Sequence, residues 1–143
     1  MRPAHPYPQR SDKPAEPTDM KTIPMPDQYE LLKLDRTFTE AEMALIRRGH
    51  TPVEMESKWF IYWKDSELFF HRSWTGICVY VLKFVELDGG AKLVEAKANR
   101  DPVSWPRQTV DDELQREIEF EQIRNLMDGF TERVAYQQSI VER

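Results

Sequence analysis

The sequence has one cysteine, few glycines and no long hydrophobic run, and each shortage excludes a class of protein. Because Cys78 is the single cysteine, the chain forms no internal disulfide bond and no cysteine-based zinc site. No stretch approaches the roughly 18 consecutive apolar residues that a transmembrane helix requires. The start of the chain carries prolines and charges where a signal peptide would carry an apolar core. We therefore expect a soluble, cytoplasmic protein with no membrane partner.

The sequence also lacks the short motifs that mark common catalytic and cofactor sites. His5, His50 and His71 are scattered, and no H-E-x-x-H spacing links two of them, so we expect no metal site. There is no glycine-rich phosphate loop and no G-x-S-x-G nucleophile elbow, and we expect no cofactor. The net charge of -5 argues against a dedicated nucleic-acid-binding protein.

Length and composition predict a single globular domain that follows a proline-rich tail. The chain has 143 residues, of which 40% are hydrophobic and 31% are charged. Seven of the ten prolines lie between Pro3 and Pro26, where they disfavour helices and central strands. We predict a disordered tail over residues 1–27 and one domain over residues 28–143. An extended arm that docks on a partner is the alternative for the tail.

The segment after the tail carries the signals of a short helix. Thr39 and Glu42 have the spacing of a capping box, and Phe38 and Met43 that of a hydrophobic staple. Gly49 supplies a residue that can end the helix in a left-handed conformation. These signals predict a helix over residues 40–48.

Four strand-like segments then follow, separated by short turn signals. They cover residues 59–64, 68–71, 77–87 and 91–98, and the Asp88-Gly89-Gly90 turn joins the last two. Consecutive strands with short connections pair as an antiparallel meander.

A second, longer helix is predicted near the end of the chain. Thr109 is its predicted N-cap and Gly129 its predicted stop. Residues 111–125 contain six acidic residues against two arginines, which indicates either a solvated face or an acidic surface for a basic partner. The predicted fold class is thus α+β, a four-stranded antiparallel meander flanked by an N-terminal helix and a longer C-terminal helix.

The loop His71–Gly76 is unlike a normal hairpin turn, because it contains an arginine and a tryptophan. Its imidazole, guanidinium, hydroxyl and indole groups offer donors for an anion and a ring for stacking. Arg48 and Arg100 are further basic groups that the fold could bring to this loop. The candidate ligand-binding residues are His71, Arg72, Ser73, Trp74, Thr75, Arg48 and Arg100. The first hypothesis is a small binding or accessory module that recognises an anionic small molecule through this loop.

Three other interpretations remain open. In the first, the loop is structural: Arg72 pairs with an acid of the second helix, Trp74 fills the core and His71 is a satisfied strand residue. In the second, the protein is a small hydrolase or transferase in which His71 is the general acid or base and Arg72 holds the anion. In the third, the aromatic run Trp59–Trp63 leaves one sheet face exposed, and this face with the acidic helix binds a protein partner, such as an immunity or regulatory partner, or a second copy.

Several segments between Tyr29 and Arg100 resemble an uncharacterised family of small bacterial domains. The similar segments are Tyr29-Glu30-Leu31-Leu32, Thr37-Phe38-Thr39-Glu40, Lys58-Trp59-Phe60-Ile61-Tyr62 and Phe70-His71-Arg72-Ser73-Trp74-Thr75-Gly76. Domains of this family are sometimes found near or fused to ADP-ribosylglycohydrolases, so the resemblance implies a nucleotide-like or ADP-ribose-like ligand. The chain lacks the acidic metal-binding motifs of those hydrolases.

Overall fold

A computed structural model of the protein describes residues 13–52 and 57–141, with side chains described as far as residue 136. A 3-10 turn is followed by five strands and two helices, which confirms the α+β class. The elements are the turn Pro17–Asp19, β1 Tyr29–Thr39, α1 Glu40–Arg48, β2 Trp59–Lys64, β3 Glu67–Arg72, β4 Cys78–Leu87, β5 Gly90–Asn99 and α2 Asp112–Val141.

The sheet has five antiparallel strands in the order β1-β5-β4-β3-β2, so the prediction of four strands is wrong by one. The meander from β2 to β5 is confirmed, and the additional strand is β1, which pairs with β5 at the far edge. In β1, Leu32 and Phe38 are buried, and Lys33, Asp35 and Thr37, at alternate positions between them, are exposed. Because the partner of β1 lies about 60 residues later in the chain, no local turn signal reveals this pairing.

Helix α1 begins and ends at the predicted residues. The Thr39 hydroxyl accepts a hydrogen bond from the Glu42 amide at 3.2 Å, and the Glu42 carboxylate accepts one from the Thr39 amide at 2.9 Å. Gly49 ends the helix with φ of 67°. A Cβ at Gly49 would lie 2.1 Å from the carbonyl oxygen of Ile61, so the close approach of α1 and β2 requires glycine.

Helix α2 is longer than its local signals predict. Asp111, rather than the predicted Thr109, is positioned as the cap, because its carboxylate accepts from the Leu114 amide at 2.9 Å. The helix also continues through Gly129, the predicted stop. Phe130 is buried just beyond that glycine, so packing against the sheet and α1 extends the helix past it.

The main hydrophobic core lies between the sheet and the two helices. It contains large side chains from every strand and from both helices. They include Leu32, Phe38, Met43, Ile46, Ile61, Leu68, Phe70, Tyr80, Leu82, Phe84, Leu93, Ile123, Met127 and Phe130. This inner face thus buries one side of the sheet.

A smaller apolar cluster lies on the opposite, outer face of the sheet. Phe60 and Tyr62 of β2 pack there with Ala15, and Met20 and Phe69 lie beside them. Since Ala15 and Met20 come from the N-terminal segment, that segment covers the β2 end of the outer face.

Residues 13–28 run along the domain where the sequence predicts a disordered tail. The Ala15 amide donates to the Arg48 carbonyl, and the Ile23 amide donates to the Gly76 carbonyl, both at 2.8 Å. Ala15 is buried against the outer face. The prediction for the tail is therefore corrected for residues 13–27, because the prolines are compatible with an extended segment that packs on a sheet. Residues 1–12 lie outside the described part of the chain.

A row of alternating charges crosses the outer face at the other end. Cross-strand neighbours in this row come from all five strands, and their side chains point to the same face. The row is Lys33, Glu95, Lys83, Glu67 and Lys64, in the order β1, β5, β4, β3 and β2. Glu95 lies 3.4 Å from the Lys33 ammonium and 4.0 Å from that of Lys83. The outer face is therefore apolar at the covered end and charged at this one. In the described part of the chain, none of the helices has the length and apolar character needed to span a bilayer.

Candidate functional site

The His71–Gly76 loop is held by main-chain hydrogen bonds on both sides. The Gly76 amide donates to the Arg72 carbonyl at 2.8 Å, and the Arg72 amide donates to the Ile77 carbonyl at 2.9 Å. A Cβ at Gly76 would lie 2.8 Å from the carbonyl oxygen of Lys21, and its φ is 77°. The glycine therefore admits the backbone of the N-terminal segment rather than a ligand.

His71 lies inside the protein, with 2% of its surface exposed. Its Nδ1 is 2.9 Å from the Gly76 carbonyl oxygen, and its Nε2 is 3.3 Å from the Tyr62 hydroxyl. The imidazole stacks on the Tyr62 ring with centroids 5.4 Å apart. Burial lowers the pKa of His71, and the bond to Gly76 opposes that shift. Both ring nitrogens thus have internal partners, as in the structural interpretation of the loop.

The other small polar groups of the loop are also occupied by internal hydrogen bonds. Ser73 is buried, and its hydroxyl donates to the Ser57 carbonyl at 2.7 Å. The Thr75 hydroxyl accepts from the Ile77 amide at 3.2 Å. Trp74 is 58% exposed, so it does not fill the core.

Arg72 differs from its neighbours in the loop. Its guanidinium carbon lies 4.9 Å from the ring centroid of Trp59 and 5.9 Å from that of Trp105. Burial lowers the pKa of Arg72. Within residues 13–52 and 57–136 no carboxylate forms an ion pair with it, so the expected pairing with an acid of α2 is not observed there. The group is a half-buried cation whose described side-chain contacts are two indole rings.

Arg100, which directly follows β5, is held in an ion pair with residues of β1 and α2. Its guanidinium donates to both carboxylate oxygens of Glu119, at 2.7 and 2.5 Å, and lies 3.3 Å from a carboxylate oxygen of Glu30. Burial disfavours the cation, but the Glu119 and Glu30 carboxylates together outweigh this effect and raise the pKa of Arg100. Arg116 also bonds to Glu30. These contacts give Arg100 a structural role.

Arg48 lies at the last turn of α1, on the edge beside β2. Its carbonyl accepts from Ala15, and its side chain is exposed. None of the hydrogen bonds and ion pairs found among the described residues joins it to the loop. The fold therefore brings His71, Ser73 and Thr75 together with Arg72 but does not add Arg48 or Arg100 to them.

Two residues of the candidate site, Trp59 and Trp105, were missed by sequence reasoning. Trp59 belongs to the aromatic run Trp59–Trp63, and it packs partly against the core while its ring lies beside the Arg72 guanidinium. Trp105 comes from the connection between β5 and α2, and no local signal relates it to the loop. The pairing of β2 with β3 places Trp59 beside the Arg72 guanidinium. The course of the connection between β5 and α2 brings Trp105 to the same guanidinium.

The aromatic strand β2 has both faces covered. Trp59, Ile61 and Trp63 pack toward the core, while Phe60 and Tyr62 lie under Ala15 and Met20. The expected large exposed aromatic face is therefore not present in the described structure, because the N-terminal segment occupies it.

An apolar groove of about 340 Å³ lies elsewhere, between β1 and α2. Its apolar lining includes Leu34, Phe120 and Met127, and the ion pair between Arg36 and Asp128, at 2.8 Å, stands at its rim. None of the predicted site residues lines it. No cluster of metal-ligating side chains occurs among the residues that the structure describes. Comparisons of the chain with family models, curated proteins and solved structures found no match.

Proposed function

We propose that the protein is a non-enzymatic binding module that recognises an anionic small molecule through Arg72, framed by Trp59 and Trp105. The observation that carries the proposal is the environment of Arg72: a half-buried guanidinium with two aromatic contacts and no ion pair in the described part of the chain. A guanidinium presents several N–H donors in one plane, which suit a carboxylate or phosphate group.

The rings beside the cation support this role in two ways. An indole face stabilises a nearby cation and restricts the rotamers that a long side chain samples, so less ordering is needed when an anion binds. Rings also exclude water from one side of the guanidinium, which strengthens its hydrogen bonds to an anion.

The geometry gives less support to catalysis. A general acid or base must reach a substrate atom within hydrogen-bond distance, and His71 is 2% exposed with both nitrogens bonded internally. Binding by Arg72 requires no such access for the imidazole. We therefore favour a binding module over a hydrolase or transferase.

The test is a titration of the full chain with ADP-ribose, AMP, inorganic phosphate and acetate, followed by tryptophan fluorescence and calorimetry. ADP-ribose and AMP probe a nucleotide-like ligand, whereas phosphate and acetate probe the anion alone. We expect at least one probe to bind and to change the emission, because Trp59 and Trp105 contact the recognising cation.

Arg72→Met keeps the aliphatic stem between the rings and removes the charge, so it is the informative variant. Loss of charge-assisted hydrogen bonds is expected to weaken binding about tenfold or more. Arg124→Ala removes an exposed arginine of α2 and is the matched control. Absence of binding by every probe, or equal binding by Arg72→Met and the unmodified chain, overturns the proposal.

A further inference from the structure

The N-terminal segment and the buried imidazole of His71 share one hydrogen-bond acceptor. The carbonyl oxygen of Gly76 accepts from the Ile23 amide at 2.8 Å and lies 2.9 Å from His71 Nδ1. The same segment covers the outer face near His71, because Ala15 and Met20 pack against Phe60, Tyr62 and Phe69. A change at the imidazole therefore acts directly on a contact that holds the segment.

The hydrogen bonds of His71 fit its neutral form. With the proton on Nδ1, the ring donates to Gly76 and Nε2 accepts from the Tyr62 hydroxyl. A second proton turns Nε2 into a donor, so the Tyr62 hydroxyl has to rotate and lose its acceptor. The imidazolium would also be a cation with 2% exposure, and a buried cation without a charged partner is costly.

No charged group among the described residues compensates such a cation. Facing it are Tyr62 on β2, Cys78 on β4 and the main chain of the loop. Burial raises the pKa of Tyr62 and raises that of Cys78 to about 12, so both are neutral. The charged side chains of the segment itself, Lys13, Glu16, Asp19, Lys21 and Asp27, are not among the causes of the shift of the His71 pKa.

The N-terminal segment is held by fewer contacts than the strands and therefore detaches from the domain most easily. Strand β3, which carries His71, is paired on both sides by β2 and β4. By contrast, three main-chain hydrogen bonds attach residues 13–28 to the domain: the Ala15 and Ile23 amides donate, and the Gln28 carbonyl, next to the start of β1, accepts from the Arg100 amide. Regions with few buried contacts open at lower free energy than the strands of a sheet.

We propose that residues 13–28 form a strap that is closed on the outer face while His71 is neutral and opens when His71 takes up a proton. Opening hydrates the imidazolium and exposes Phe60, Tyr62 and Phe69. The strap is thus a pH-sensitive cover over an apolar surface of the sheet.

Hydrogen exchange of the full chain, measured by mass spectrometry between pH 8 and pH 5 and corrected for intrinsic exchange, tests this proposal. Peptides from residues 13–28 are expected to lose protection by up to about tenfold per pH unit below about 6.5. Peptides from β4 and β5 are expected to keep theirs, because the sheet stays folded. His71→Gln, whose amide does not titrate, is expected to remove the pH response of the strap.

His50→Gln is the matched control, since His50 is the other histidine of the described chain and lies outside the strap contacts. This variant is expected to keep the response. In the unmodified protein, NMR should show the His71 ring and the Ile23 amide titrating with one midpoint, which decides the matter if His71→Gln does not fold. Strap exchange that is independent of pH, loss of strap and sheet protection together, or two different midpoints overturns the proposal.

Discussion

Arg100 and Glu119 form a two-bond ion pair that joins the end of β5 to helix α2, with bonds of 2.7 and 2.5 Å. The Glu119 side chain is 2% exposed, and both of its carboxylate oxygens contact Arg100. The pair also recruits Glu30 at the start of β1. One arginine thus connects the edge strand β1 and its neighbour β5 to helix α2.

The first prediction concerns this ion pair. Arg100→Met leaves a buried carboxylate without its main partner and is expected to lower the free energy of unfolding by about 3–5 kcal/mol. Urea unfolding followed by circular dichroism measures it. Glu95→Gln is the contrast, because Glu95 faces largely exposed lysines, and is expected to cost less than about 1 kcal/mol. Similar losses in both variants would contradict the structural role of Arg100.

The second prediction concerns the end of α1. Gly49 and Gly89 both have positive φ, at 67° and 77°, but a Cβ meets the Ile61 carbonyl only at Gly49. Gly89→Ala is expected to cost about 1–2 kcal/mol from backbone strain, and Gly49→Ala clearly more, because the clash adds to the strain. Thermal unfolding of the two variants side by side gives the difference. Equal costs would show that α1 and β2 are not so close.

The third prediction concerns the stability of the whole domain in acid. Burial lowers the pKa of His50, and the Arg133 cation lowers it further. The unfolded chain therefore binds a proton at His50 before the folded one does, so this contribution is full above about pH 6.5 and is lost as the pH falls below it.

Urea unfolding at pH 8 and pH 5.5 measures this dependence. His50→Gln is expected to reduce the loss of stability on acidification while the strap response of His71 remains. A pH dependence of global unfolding that is unchanged in His50→Gln would contradict the lowered pKa of the partly buried His50 imidazole.

The fourth prediction separates the two candidate caps of α2. Asp111→Ala removes the side-chain acceptor of the Leu114 amide and is expected to cost about 1 kcal/mol. Thr109→Ala removes a bond to the Asp111 amide outside the helix and is expected to cost less. The change in melting temperature ranks the two, and a larger effect of Thr109→Ala would restore the sequence-based assignment.

Elements with local signals were predicted to within a few residues. The capping box at Thr39 and Glu42 placed α1, and the run of aromatic and β-branched residues placed β2 at Trp59–Lys64. Those signals act between neighbours in the chain, so the sequence displays them directly. Strand β1 was missed because its stability comes from pairing with β5 and from packing, not from its own propensity.

The part of the candidate site that lies in one continuous stretch of sequence was predictable, because its signals also act between neighbours in the chain. The sequence identified His71–Gly76 as an unusual turn and named Arg72 among the candidate ligand-binding residues. It could not show that Gly76 accommodates the N-terminal segment, that Arg100 is paired with Glu119, or that Trp105 reaches Arg72. Each of these contacts joins residues far apart in the chain.

The amino-acid sequence by itself determined the α+β class, the first helix and the meander, because capping, turn and alternation patterns depend on adjacent residues. Only the tertiary structure decided which polar side chains of the His71–Gly76 loop form internal hydrogen bonds. It also decided that Arg72 is the cation with aromatic neighbours. The physical reason is that hydrogen bonding and burial of a side chain depend on the elements that surround it, and here those elements are the N-terminal segment, β2 and the connection to α2.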